Sequence, residues 1–462
     1  MSRDFEAESG RISSVDDLIQ VFRDGEKPRD AFRIGAEYEK LAYWLRDGGP
    51  VQYEGGIDAL LEGLTRYGWK PTGGEPIVAL ERDGASVSLE PGGQFELSGA
   101  PQSSIHDVAR ELARHVAELV ELGKGLGIGF STLGFRPFQR TEDMPWMPKD
   151  RYRIMREHLG SRGSGGLEMM LLSATVQANL DFCSESDMAR KMRASMGVSP
   201  VIAAMFANSP FEFGAWGGQR TRRYAMWRNV DRARTGLLPF VFADDFGYRH
   251  YLEWALDVPM FFLRRDGSYL PVEGLTFRQY MEQGFHGEQA NITDFENHLS
   301  ALFPEVRLKR FVEVRCGDSV PVPLALAMVA LWKGLLYDEE TLGAVTKLMA
   351  GFSMPEREAM QIAAARDGLR GRAPTFDLGD LASEVLRLGA QGLKRLGIRD
   401  AKGRDESHFL QPLEPIVASR TTRADQAVVA FGSGPWDQET RLRILGEGAY
   451  DLAPDDYLAF YR

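Results

Sequence analysis

The chain has 462 residues, 44% of them hydrophobic and 26% charged, with a formal net charge of −11. That length allows one large or two medium domains with a sizeable core, and the acidic balance argues against nucleic-acid or anionic-membrane partners, which need a basic field. Two cysteines, Cys183 and Cys316, provide no disulfide framework and fit a reducing, cytoplasmic compartment.

The opening MSRDFEAESGRISS lacks the apolar segment of a signal peptide. The longest apolar run, Leu324–Trp332, falls well short of the roughly 20 residues of a membrane helix. In chain order, SVDDLIQVFRDG predicts a helix capped by Ser14 and stopped by Gly25. Residues 33–43, RIGAEYEKLAY, follow as a strand, and GGIDALLEGLTRYG as a helix ending at Gly68. PIVALERDG and ASVSLEPGGQFELSG read as strands joined by an Asp-Gly turn. A long amphipathic helix covers SSIHDVARELARHVAELVELGKGLG; its GKGLGIGF end looks faintly like a phosphate loop but follows a helix, so it reads as a helix stop. Further strands are IGFSTLGF, TVQANLDF and RLKRFVEVRCGD, with a hairpin at FFLRRDGSYLPV and a helix at DMARKMRASMGVSPVIAAMFA. Beyond about residue 323 the pattern turns helical, and RDAKGRDESHF reads as an exposed loop. This mixed order predicts an α+β fold around an antiparallel sheet. The chain reads as a single catalytic unit over 1–462, with a core over about 31–340 and a helical C-terminal region over about 341–462.

Four of the strand-like segments carry polar side chains where alternation leaves a clean apolar face opposite. On 33–43, Glu37 and Glu39 share one face while Ile34, Ala36 and Tyr38 share the other. Glu90, Gln94 and Glu96 flank a Pro-Gly-Gly turn; Gln177, Asn179 and Asp181 share a face of TVQANLDF; Glu313 and Arg315 share a face of RFVEVR. Singly, each pattern suits a solvated face. Together, in one sheet, they concentrate oxygen ligands as hard-cation binding requires: Mg²⁺ is held by carboxylates plus substrate phosphates. The histidines form no HxH or HxxxH pair and there is no CxxC, GxxxxGK[ST] or GxSxG, so zinc, P-loop and hydrolase-elbow chemistries are disfavoured.

SLEPGGQFELSGAP, MPKDRYRIM, TVQANLDF, MFANSPF and FPEVRLKRFVEVR resemble the plant and proteobacterial type of glutamate–cysteine ligase, over about residues 31 to 345. The resemblance implies a glutamine-synthetase-like curved antiparallel sheet packed with helices. It also implies ATP- and Mg²⁺-dependent joining of the glutamate γ-carboxylate to the cysteine amine through an acyl phosphate, with two or more Mg²⁺ ions. By motif it makes Glu37, Glu39, Glu90, Glu96, Gln177 and Glu313 metal ligands, and Glu313 and Arg315 the catalytic pair. Asn179, Arg234 and Trp227 become substrate contacts. The expected partners are small molecules only (glutamate, cysteine and ATP), for a monomer or homodimer.

Two departures stand out. Tyr38 replaces the histidine that plant members carry between the paired glutamates, and should face away from the metals. Cys183 and Cys316 match no plant redox pair. A ligase using another amine, as in the ergothioneine route, and a hydrolytic or non-catalytic relative are the competing readings.

Overall fold

Glu37 and Glu39 lie in the central strand of a nine-stranded sheet in which every pairing is antiparallel. The structure is a computed structural model that describes residues 12, 14–272 and 274–447. The strands are β1 (Ile34–Trp44), β2 (Lys70–Pro71), β3 (Ala79–Arg82), β4 (Ala85–Leu89), β5 (Gln94–Ser98), β6 (Ile128–Ser131), β7 (Thr175–Leu180), β8 (Val306–Leu308) and β9 (Val312–Asp318). Their order is β8-β9-β7-β1-β5-β4-β3-β2, with β6 paired to the far end of β1.

The alternation in β1 decides which face meets helices. Ile34, Ala36, Tyr38 and Ala42 are buried in the main core, behind which pack α1 (Ile105–Leu126), α2 (Glu185–Met205), α4 (Val322–Tyr337) and α5 (Leu378–Leu396), while α3 (Arg222–Trp227) lies against β9 beside the polar face. α1 starts at Ser104, whose side chain accepts from the Asp107 N–H, and ends at Gly127 in the left-handed region. The GKG stretch is therefore the last turn of a helix. Lys40, on the helix-facing side of β1, is fully buried and meets His115 of α1 at 3.1 Å. Burial pushes its ammonium down to about 7.

A reciprocal clasp joins β1 to the segment before α4. The Tyr38 hydroxyl donates to the Val320 carbonyl (2.9 Å), and the Ser319 hydroxyl donates to the Glu39 carbonyl (2.7 Å). Tyr38 thus faces away from the two glutamates, as alternation requires.

The structure corrects two sequence readings. RLKRFVEVRCGD is a hairpin, β8–β9, in which Arg307 pairs with Glu313 across the strands. No Gly, Pro, Asn or Asp marks the turn at 309–311, so it carries no sequence signal. ASVSLEPGGQFELSG is likewise two strands, β4 and β5. Their turn needs its glycines: Gly93 has φ +77°, and a Cβ on Gly92 would stand 2.3 Å from the Leu171 carbonyl oxygen. Gln94 braces this turn, accepting from the Gly92 N–H and donating to the Met170 and Ser173 carbonyls. Among the described residues no helix is long and apolar enough to cross a membrane. Gly92→Ala should destabilise the protein by about 1–3 kcal/mol through this clash, read as a lower urea midpoint; an unchanged midpoint would mean that the turn can open.

Candidate active site

The registers bring the polar residues of four strands onto one face. Glu37 of β1 stands between Ser98 of β5 and Gln177 of β7, and Glu39 stands opposite Glu96, which itself faces Ser88. Such neighbours have Cβ atoms about 5 Å apart. Asn179 donates through Nδ2 to Glu37 Oε1 (2.9 Å), Ser98 to Glu96 (2.7 Å), and the Thr175 N–H to Glu39 (3.1 Å). Arg315 shares the Glu313 face of β9 by alternation, where a β-bulge after Val314 shifts the register. Its Nη1 reaches Gln177 Oε1 (2.7 Å) and Glu313 Oε1 (2.5 Å).

Two clefts open over the polar face. One, of about 250 Å³, is lined by Glu37 and Asn179 with Lys309 and apolar walls from Val21, Leu299 and Phe311. The other, of about 90 Å³, sets Glu39 and Glu90 against Arg151, Arg223, Trp227 and Arg315. Ser300 lines both. In the smaller cleft the carboxylates resist ionisation: burial, then Glu96 and Glu90, push Glu39 well above the ordinary range, and burial, then Glu96, raise Glu90. The guanidinium of Arg223 donates to the Arg315 and Cys316 carbonyls (3.1 and 3.4 Å), and its Nε is left without a partner.

This donor set fits Mg²⁺ bound together with a phosphate ligand. All the offered atoms are oxygens, and the repulsion among Glu39, Glu90 and Glu96 is what a cation offsets. Among the described residues, no three His, Cys, Asp or Glu side chains converge into a self-sufficient metal cage. That agrees with the habit of Mg²⁺ of taking one or two carboxylates and completing its shell with phosphates and water.

The family model for glutamate–cysteine ligase family 2 (GCS2) matches residues 33–442. The chloroplastic glutamate–cysteine ligase of Arabidopsis thaliana is 41% identical over 428 residues, covering 92% of this chain and 80% of that protein. Glutamate–cysteine ligase B of Oryza sativa is 40% identical over 416 residues, 89% and 82% of the two chains. The chain belongs to glutamate–cysteine ligase family 2. In fold, it is similar to the Francisella tularensis glutamate–cysteine ligase crystallised with AMP, with TM-score 0.51, 12% identity and coverage of 93% and 91%. It also resembles a bifunctional glutathione synthetase from Pasteurella multocida, with TM-score 0.53 and 12% identity, over 96% of this chain and 54% of that one.

For this family member, the sequence-predicted residues separate into three groups. Glu37, Glu39, Glu90, Asn179, Trp227 and Arg315 line the two clefts, and Glu96 adjoins them on the sheet. Gln177 and Glu313 do not stand as open metal ligands. The carbonyl oxygen of Gln177 accepts from Arg315. Glu313 is fully buried and gripped by Arg307 through two bonds (2.8 and 2.6 Å), by Lys309 (3.0 Å) and by Arg315. Burial alone would raise its carboxyl, but these three cations outweigh it and hold it well below the usual range. It therefore serves as the anchor that fixes Arg315.

Arg234 is the clear correction. It is fully buried, donating to Asp231 (2.8 Å) and to the Ala301 and Pro259 carbonyls, with its guanidinium 3.9 Å from the Phe261 ring centroid. No face is left for a substrate carboxylate. Asp181 is also structural, accepting from Lys27 and from the Arg33 N–H (both 2.7 Å). Arg151 and Arg223 are the cleft cations that the sequence reading missed; their only signal was the density of arginines in MPKDRYRIM and RTRRY.

Arg234→Ala should lower stability by about 3–5 kcal/mol by stranding the Asp231 carboxylate, measured by denaturant unfolding. A stable variant with only a raised KM for glutamate would restore the substrate role. Glu39→Gln should stabilise the ligand-free protein. A carboxyl raised in the folded state costs stability as pH climbs from its unfolded pKa through its folded one. The gain should therefore be seen at neutral pH and vanish near pH 4; a melting temperature unchanged at both would mean that the glutamates do not repel.

Proposed function

We propose that this protein makes γ-glutamylcysteine from glutamate, cysteine and ATP, the first step of glutathione synthesis. What carries the reading is the smaller cleft, where Glu39 and Glu90 face Arg151, Arg223 and Arg315 in a chain of this family. Acids on one wall and guanidinium groups on the other suit phosphoryl transfer, which depends on positioning and charge stabilisation more than on a covalent nucleophile.

The γ-carboxylate of glutamate attacks the γ-phosphorus of ATP, giving an acyl phosphate and ADP. The neutral amine of cysteine then attacks the acyl carbon, and phosphate departs. Arg315, held by Gln177 and Glu313, and Arg223 face the phosphate oxygens on which charge builds. Glu37, Glu39, Glu90 and Glu96 would hold two or more Mg²⁺ ions, whose charge would neutralise the phosphates and polarise the transferring group. The apolar walls of the larger cleft receive the adenosine, and the amino acids lie in the smaller one beside Arg151 and Trp227. Arg151, which lines the smaller cleft beside Trp227, takes the α-carboxylate of glutamate in this reading. Both cysteines are free thiols, as suits a cytoplasmic setting.

The test is ADP release with ATP, Mg²⁺ and glutamate while amines are added singly. Cysteine should stimulate most and yield the γ-glutamyl product. Greater stimulation by another amine would move the protein to a different pathway, and release without glutamate would overturn the ligase reading. Arg315→Ala should reduce kcat by about 10²–10³, the usual cost of losing one charge-stabilising donor, with a smaller effect on the KM for ATP. A change in KM alone would place Arg315 in ground-state binding.

A further inference from the structure

A further cavity lies away from the ligase site. It has a volume of about 570 Å³ and shares no lining residue with either cleft. It is formed where the first turns of α1 and α4 meet residues 399–412; the sequence reads as an exposed loop over 399–409, but from Glu406 the chain forms a 3-10 helix that buries Glu406 and Phe409. Its size falls in the range of small-molecule sites.

The wall is built of aromatic rings. His106 of α1 stacks on His408 (centroids 5.4 Å apart, planes at 17°), and both rings pack on Phe409. Only 7% of His106 is exposed, and its Nε2 is buried with no hydrogen-bond partner. His408 donates through Nδ1 to the Asp405 carbonyl (2.7 Å), which commits that nitrogen and leaves Nε2 for a ligand. Burial holds the His106 imidazole below its ordinary pKa, which makes it a neutral ring.

The rim is basic. Arg110, Arg399, Lys402 and Arg404 line it, against Asp107 and Asp400. The two acids are already engaged: Asp107 accepts from Ser104 and Arg110, and Asp400 from the Lys402 and Arg404 N–H groups and the Arg404 side chain. Arg399 donates to the Gly403 carbonyl, and among the described residues neither Arg399 nor Lys402 forms an ion pair. The loop is fixed rather than draped. Fully buried Glu406 accepts from the Ile105 N–H (2.6 Å) and from Lys333 of α4 (2.8 Å), tying all three elements together.

We infer that this cavity is a second ligand site, for a small anion that also carries O–H or N–H donors. The anionic group lies against Lys402 and Arg399, and the donors lie toward the imidazole nitrogens. Phosphate and carboxylate groups share this chemistry, so the test uses one probe of each: ribose 5-phosphate and citrate. The full chain labelled with ¹³C-histidine is titrated with each at millimolar concentration. The His106 and His408 ring signals are assigned by their loss in His106→Gln and His408→Gln.

A saturable shift of these signals is expected with at least one probe, and which probe gives it tells phosphate from carboxylate. Lys402→Glu, an exposed loop change, should weaken that binding at least about tenfold, the equivalent of one charge-assisted hydrogen bond. No saturable shift with either probe would overturn the inference. So would a shift that both Lys402→Glu and Arg399→Glu leave unchanged.

Discussion

The structure depends on burying a row of like charges inside a sheet. β1 places Glu37 and Glu39 on a face that is almost as inaccessible as the core behind it, with Glu96 directly across the ladder. Desolvation and repulsion from the neighbouring carboxylates both oppose ionisation of Glu39, and no apolar packing can relieve them. Relief comes from the surroundings: hydrogen bonds from Asn179, Ser98 and the Thr175 backbone, and guanidinium groups brought over the face by β9 and by α3. The fold is organised to present this charge against opposing charge, with the helices supplying the apolar burial that offsets the cost.

A clear division of labour follows on β9. Glu313 and Arg315 lie two residues apart and were read together as catalytic, yet the first is consumed by cations and the second is the one that lines the cleft. A guanidinium pinned at both Gln177 and Glu313 loses little rotamer freedom when it meets a ligand. The buried Arg307–Glu313 pair is thus the support for a functional arginine, and its hydrogen bonds to the Ser300 and Leu302 carbonyls carry that support into the chain segment forming the clefts' shared wall.

The legible part of this site was the part written in alternation. Glu37, Glu39, Glu90 and Glu96 stood out because apolar residues alternate with them, and a strand shows its two faces directly in sequence. The α+β class and the helical end followed from the same periodicities. Arg234 was taken for a substrate contact by resemblance, and nothing in its neighbourhood in sequence marks it as buried; only the tertiary structure reveals Asp231 and two carbonyls around it. Arg151 and Arg223 failed the opposite way, since helical arginines resemble an ordinary charged surface. The β8–β9 turn carries no turn residue, so one strand was read where two exist.

The clasp between β1 and the residues before α4 solves a problem that alternation leaves open. Sliding β1 by two positions would keep every apolar side chain on its proper side, while moving Glu37 into the place of Glu39 and unpairing the acids from Gln177, Asn179 and Ser98. Hydrophobic burial barely distinguishes the two alignments. The Tyr38 hydroxyl bond to the Val320 carbonyl breaks on such a slide, whereas the Ser319 hydroxyl, bonded to a backbone carbonyl, would find another residue's carbonyl in its place. The tyrosine between the glutamates thus acts as an index pin, making the count of residues along the strand, and not only their polarity, part of what the sequence encodes.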